Sequence, residues 1–298
     1  MTLPGGIDAR ALSQLASMEL RARAVVEGHY SGQHRSPYRG ASIEFADHRQ
    51  YTHGDELRRL DWRLYGRTDR FFVKEHEAET NLSVYLVLDA SASMWYPERG
   101  VTKLSCAAYL AAGLAYLAHR QRDATGLFVF SDRVTEQLPP LTQRGHLQRI
   151  FGALDGLVPG RETDLPGALV EVAGAACRRG LVVLISDLLA DPESVLRSLA
   201  HFRHRGHDVI VFQVLDPSEL EFDFRGPLVV EDMETGARLP TEAAEIRAEY
   251  LARMTDHLAA IRGGCHRRGI DYELFGPDAP FGPALTAYLA RRSRTVTR

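Results

Sequence analysis

VYLVLDASASM, residues 84–94, is the stretch from which the rest of the chain is read. Residues 84–88 are apolar without the alternation of a half-exposed strand, the pattern of a central strand in a parallel sheet, buried on both faces. The run ends in Asp89, and Ser91 and Ser93 follow at alternate positions, separated only by alanines. In open α/β sheets, ligands bind just past the carboxyl ends of such strands. A carboxylate and two hydroxyls there, on a turn kept thin by Ala90 and Ala92, offer three oxygens to one point. Oxygen-only ligands suit hard divalent cations, Mg²⁺ above all, with Mn²⁺ or Ca²⁺ as alternatives.

Outward from this stretch, strand and helix patterns alternate. Residues 103–122 predict an alanine- and leucine-rich helix whose first residue, Lys103, faces solvent. Residues 126–130 predict a buried strand, followed by a turn at 131–133 and a strand over 134–138. Helices follow over 142–154 and 165–178, the second with Pro166 tolerated in its first turn. Residues 181–185 form another all-apolar strand that ends in Ser186-Asp187. Asp191 caps a helix to about residue 205, and 209–215 is a strand ending in Asp216-Pro217. Short strands and turns occupy 219–240, a long helix capped by Thr241 runs over 241–268, 270–275 is the last strand, and 280–292 is a short helix. Upstream, 8–27 predicts a helix capped by Asp8 and ending near Gly28, 29–42 a loop, and 71–77 an edge strand. The expected fold class is α/β: a doubly wound, mainly parallel sheet flanked by helices, with an N-terminal helical and loop extension over 1–70 packed on a main domain over 71–298.

Composition agrees with such a core. The chain has 298 residues, 45% of them hydrophobic, and a formal net charge of −3, which gives no general pull towards nucleic acid or membrane. Cys106, Cys177 and Cys265 show no CxxC or Cys/His ligand spacing and read as reduced thiols. The start, MTLPGGIDARALSQL, lacks the basic and apolar regions of a signal peptide, and the apolar run 109–118 is about half of the ~20 residues a membrane span requires. A cytoplasmic protein with no membrane span is expected. Residues 43–70 interleave aromatics with both acids and bases. Segregated arginines would suggest nucleic-acid binding; interspersed charges read instead as an ordered segment with ion pairs, with Trp62 as a packing anchor.

Three segments converge on one sheet edge: Asp89-Ala90-Ser91-Ala92-Ser93 after one strand, Thr163-Asp164 at a helix start, and Asp187 after another strand. This resembles the von Willebrand factor A fold and its metal-ion-dependent adhesion site, whose pattern is D-x-S-x-S, then T, then D. Asp89, Ser91, Ser93, Thr163 and Asp187 match all five positions, and the resemblance implies that these residues hold the ion. A second resemblance lies just ahead. Phe45-x-x-x-Arg49-x-Tyr51-x-x-Gly54-Asp55-x-x-Arg58-x-x-Asp61-Trp62, with Asp216-Pro217-x-Glu219 later, is similar to the signature of the DUF58 family. That resemblance implies a MoxR-type AAA+ ATPase, or its client protein, as partner. The expected function is a metal-dependent protein-interaction module, adaptor or chaperone-like, which binds an acidic residue of its partner through the ion.

Enzyme readings lack their residues. No GxSxG, HExxH or GxxxxGK[ST] occurs. A haloacid-dehalogenase-like phosphatase requires a second Asp two residues after the first; Ser91 stands there. A metal-dependent phosphohydrolase is the alternative function. Asp132 and Asp216 end strands and read as turn formers, and Asp164 as a helix-start charge.

Overall fold

A computed structural model describes residues 8–33, 48–50, 65–66, 71–74, 82–97, 100–160, 164–233 and 236–296. The chain divides into two units, one built from 1–33 with 82–298 and one from 34–81. The segment 1–70 is thus shared between them: its first helices belong to the unit that carries the main sheet.

In the smaller unit, β1 (His48–Gln50) pairs antiparallel with β2 (Phe72–Lys74). The expected edge strand at 71–77 therefore belongs to a separate two-stranded sheet, not to the edge of the main one. Trp62 and most of the family-like signature lie outside the described residues.

The larger unit begins with α1 (Ala9–Ser13), capped by Asp8, and α2 (Met18–Gln33). Sequence spacing predicts one helix ending near Gly28. Instead the chain breaks after Ser13, and α2 continues through Gly28. Packing overrides the local glycine penalty: Val25 and Val26 are buried in the core, and a Cβ added to Gly113 would stand 2.7 Å from Val25 Cγ1. The side-chain-free Gly113 lets α2 lie directly on α3 (Lys103–Arg120).

The main sheet runs in the order β10-β7-β6-β3-β4-β5. Its strands are β3 (Ser83–Asp89), β4 (Ala124–Phe130), β5 (Val134–Leu141), β6 (Gly180–Ser186), β7 (Asp208–Val214) and β10 (Asp271–Phe275). All neighbouring pairs are parallel except β4–β5. β3, β6 and β7 are buried at every position, as uninterrupted apolar runs require when helices cover both faces. One face packs against α1, α2, α3, α4 (Arg144–Asp155) and α9 (Phe281–Val296). The other packs against α5 (Leu165–Ala175), α6 (Pro192–His204) and the C-terminal part of α8 (Ala243–Arg267).

Two expectations shift at the boundaries. β5 extends beyond Leu138 through Pro139 and Pro140, which an edge strand tolerates because its outer amides need no partner. Thr241 does not cap the long helix. It lies in β9 (Arg238–Glu242), which forms a hairpin with β8 (Pro227–Glu231) after the short helix α7 (Pro217–Glu221), and α8 starts at Ala243.

From β3 the chain moves to β4 on one side and later returns to β6 on the other. The point where winding reverses lies between β3 and β6, and their carboxyl ends open a crevice there. Asp89 ends one of these strands, and Asp187 follows the other.

Candidate functional site

Asp89 is buried at the end of β3, and neutral donors hold both its oxygens. Oδ1 accepts the Ser91 amide at 2.9 Å, and Oδ2 accepts the Ser186 hydroxyl at 2.6 Å. Ser186 Oγ also accepts the Leu188 amide at 3.0 Å. Past Asp89 the turn is narrow. Ala90 donates its amide to the Phe130 carbonyl at 2.8 Å, and the Ala90 carbonyl accepts the Gly160 amide at 2.7 Å. A Cβ on Gly160 would stand 2.4 Å from Ser131 Cβ, so only glycine lets that loop approach. Ser91 leads into a 3₁₀ turn at Ala92–Trp95, with Ser91 Oγ and Ser93 Oγ 3.1 Å apart. Ser91 is buried and Ser93 half-buried, so the pair faces from the core towards the crevice.

Asp187 is buried beside this group, one residue beyond Ser186. The structure therefore brings Asp89, Ser91, Ser93 and Asp187 to one edge, as the spacing predicts. Thr163 lies outside the described residues. Asp164 caps α5 by accepting the Gly167 amide at 2.9 Å, and Asp216 caps α7 through the Ser218 amide at 2.9 Å. Asp132 accepts the Ser131 hydroxyl at 2.9 Å within its turn. These three are local structure formers.

Sequence reasoning places Lys103 in solvent; the structure buries it completely. Thr102 caps α3, and the Lys103 amide donates to the Tyr96 carbonyl at 2.8 Å, which turns the side chain inward. Its ammonium donates to Asp187 Oδ2 at 3.0 Å and to Glu219 Oε1 at 2.7 Å. Glu219 Oε2 accepts the Asp216 amide at 2.8 Å, the reciprocal half of the α7 capping box. Tyr96 and Ser218 hydroxyls meet at 2.8 Å, which ties the 3₁₀ turn to α7. A basic residue at a helix N-terminus opposes the helix dipole. That misfit was the one local signal that Lys103 has a partner elsewhere.

The electrostatics divide the two aspartates. Burial, and then the charge of Asp187, push Asp89 up to about 7 against the hydrogen bonds from Ser186 and Ser91. Burial pulls Lys103 down, but Asp187 and Glu219 outweigh it, and its affinity for the proton is raised. Burial lifts Glu219 above the usual carboxylate range even with Lys103 beside it. The two pairing partners thus shift upward together, although a salt bridge alone would lower the acid. With contacts of 2.7 and 3.0 Å the geometry favours an ammonium held between carboxylates. Asp187 therefore has a cation, which it shares with Glu219. Asp89 has none among the described residues.

The residues fit a divalent ion in one specific way. Among the described residues no group of three or more His, Cys, Asp or Glu side chains is arranged to hold a metal, so a carboxylate or imidazole cage is absent there. What Asp89, Ser91 and Ser93 provide is a buried carboxylate lacking a cation and two adjacent hydroxyl oxygens. That is the donor chemistry of a hard cation such as Mg²⁺.

Comparison with known proteins places this geometry in context. The chain is 29% identical over 232 residues to the uncharacterized protein Rv1480 of Mycobacterium tuberculosis, covering 77% of this chain and 73% of that one. Among solved structures, the conserved hypothetical protein BatB from Bacteroides thetaiotaomicron aligns over 73% of this chain and 100% of its own, with a TM-score of 0.48 and 16% identity. The SpRpn10 VWA domain aligns over 70% of this chain and 95% of its own, with a TM-score of 0.40 and 10% identity. The family described as "Protein of unknown function DUF58" matches residues 47–260, most of the chain. On that match, the chain belongs to the DUF58 family.

Proposed function

We propose that the crevice between β3 and β6 is a metal-dependent protein-docking site. Asp89, Ser91 and Ser93 would hold the ion, with Thr163 and Asp187 completing its surroundings. The observation that carries this reading is the state of Asp89: a buried carboxylate with neutral partners only, set beside two hydroxyls 3.1 Å apart. A bound divalent ion would supply a Lewis-acidic position that an Asp or Glu of a partner protein fills. Lys103 is shared between Asp187 and Glu219, so only part of the Asp187 charge is offset, and an ion held mainly by Asp89 and neutral hydroxyls keeps demand for a partner's charge. Among the described residues no helix is long and apolar enough to cross a membrane, so the docking face is not tied to a span within them. The resemblance to DUF58 proteins makes a MoxR-type AAA+ ATPase, or the client it acts on, the partner to test first. A haloacid-dehalogenase-like phosphohydrolase gains no comparable support, because Ser91 stands where such an enzyme places its acid.

The test is calorimetric titration of the full chain with Mg²⁺ or Mn²⁺, then with a MoxR-type ATPase, in Mg²⁺ and in EDTA. Ion binding should raise thermal stability by mass action. Asp89→Ala should abolish ion binding, and Ser91→Ala should weaken partner binding while the fold is retained. Equal partner affinity in Mg²⁺ and EDTA would overturn the docking role. An unchanged melting curve and no titration heat at millimolar Mg²⁺ would overturn the metal.

A further inference from the structure

The two edges of the main sheet are finished differently. At one end, β5 carries Pro139 and Pro140, and its pairing with β4 is interrupted by register shifts at two places. Prolines and bulges are the usual means of closing an edge to further strands. At the other end, β10 has neither. It pairs with β7 in unbroken register over five residues, Asp271 to Phe275, and among the described residues no backbone group bonds to its outer side.

A cleft of about 370 Å³ lies along this open edge. Its two walls come from helices on opposite faces of the sheet. On the α8 side stand Arg262 and His266, one helical turn apart, with the Arg262 guanidinium 5.5 Å from the centre of the Tyr272 ring. On the α9 side stand Ala287, Ala290 and Arg294. Charge divides the walls. Arg294 pairs with Asp271 at 2.8 Å, and Asp271 also pairs with Arg291 at 2.8 Å, so both guanidinium groups on the α9 side are already engaged by a carboxylate, and the wall is otherwise made of small apolar groups. Arg262 and His266 have no carboxylate partner among the described residues. Glu273 is exposed and alternates along β10 with Tyr272, so it disfavours an acid on the α9 side.

We propose that β10 receives an extended acidic peptide segment of a partner protein as a seventh strand. Successive side chains of a strand point to opposite faces. A segment seated here would direct its acidic residues to Arg262 and His266 and its apolar residues to Ala287 and Ala290. Main-chain hydrogen bonds to β10 would supply affinity, and the two walls would select a sequence alternating acid with apolar. This site is separate from the crevice at Asp89 and does not depend on a metal.

The probe is a fluorescein-labelled peptide of five Glu-Val repeats, titrated with the full chain in EDTA and followed by anisotropy. Saturable binding is expected, lost with a Lys-Val peptide of equal length and weakened at least tenfold by Arg262→Glu/His266→Glu. Both substituted residues are exposed, and a melting curve confirms that the variant folds. Methylation of alternate backbone amides of the peptide should also abolish binding, and amide exchange at residues 272–275 should slow in the complex. The proposal is overturned if the Glu-Val peptide fails to bind at millimolar concentration. It is equally overturned by undiminished binding to the double variant, or by binding that leaves exchange at 272–275 unchanged.

Discussion

The ammonium of Lys103 lies 3.0 Å from Asp187 Oδ2, and its side chain is wholly out of solvent. A buried ion pair is stabilising only against the alternative of breaking it; loss of one partner leaves an uncompensated charge. Lys103→Met keeps the volume and strands Asp187 and Glu219. It should destabilise the fold by ~3–5 kcal/mol in urea unfolding with EDTA present. Combining it with Glu219→Gln should recover part of that loss. A single-variant cost under about 1 kcal/mol would show that water or another cation takes the place of the lysine.

Asp89 should make the metal-free protein less stable as pH rises. Its carboxyl goes from 3.8 when unperturbed to about 7 in the fold, through burial and the charge of Asp187. Between these values the folded state binds the proton more tightly than the unfolded state does. The contribution is complete below about pH 4 and is lost as pH climbs to about 7. Asp89→Asn removes this dependence, so the stability of wild type relative to the variant should fall from pH 5 to pH 8 in EDTA. A constant difference across that range would mean that Asp89 is ionised throughout.

Ser186 bridges Asp89 and the chain beyond β6. It donates to Asp89 at 2.6 Å and accepts from Leu188 at 3.0 Å, while Leu188 sits at φ 55°, in the left-handed region. Ser186→Ala removes a bond to a charged group and leaves a buried amide unpaired. A loss of ~1–3 kcal/mol is expected, together with a further rise in the pH at which Asp89 titrates. Wild-type stability in the variant would mean that the turn after β6 holds itself.

The Tyr288 hydroxyl of α9 is buried with no hydrogen-bond partner among the described residues. Burying an unsatisfied hydroxyl costs free energy that phenylalanine avoids at nearly the same shape. Tyr288→Phe should leave stability unchanged or raise it by about 1 kcal/mol in urea titration. A loss of that size would reveal a bridging water.

The fold was legible because its central strands announce themselves. β3, β6 and β7 are buried at every position, and each carries an uninterrupted apolar run, 84–88, 181–185 and 209–212. Asp89, Ser91, Ser93 and Asp187 were legible for a related reason: polar residues that interrupt such a run at its carboxyl end stand at the sheet edge. Lys103 was not, since its partners lie 84 and 116 positions away. Only the crossing from β3 to β6 and the placement of α7 bring them together. The course of α2 through Gly28 was hidden likewise, because it depends on Gly113 in another helix. The strand at Phe72–Lys74 was found but assigned to the wrong sheet, since alternation shows that a segment is extended and not what it pairs with.

The difference between the two edges of the sheet fixes a valency. A sheet open at both ends can pass strands from molecule to molecule without limit, and its assembly is a polymer. With β5 closed by Pro139 and Pro140, the main sheet has one end to offer. Growth by strand addition to that sheet then stops after a single event, in a pair rather than a polymer.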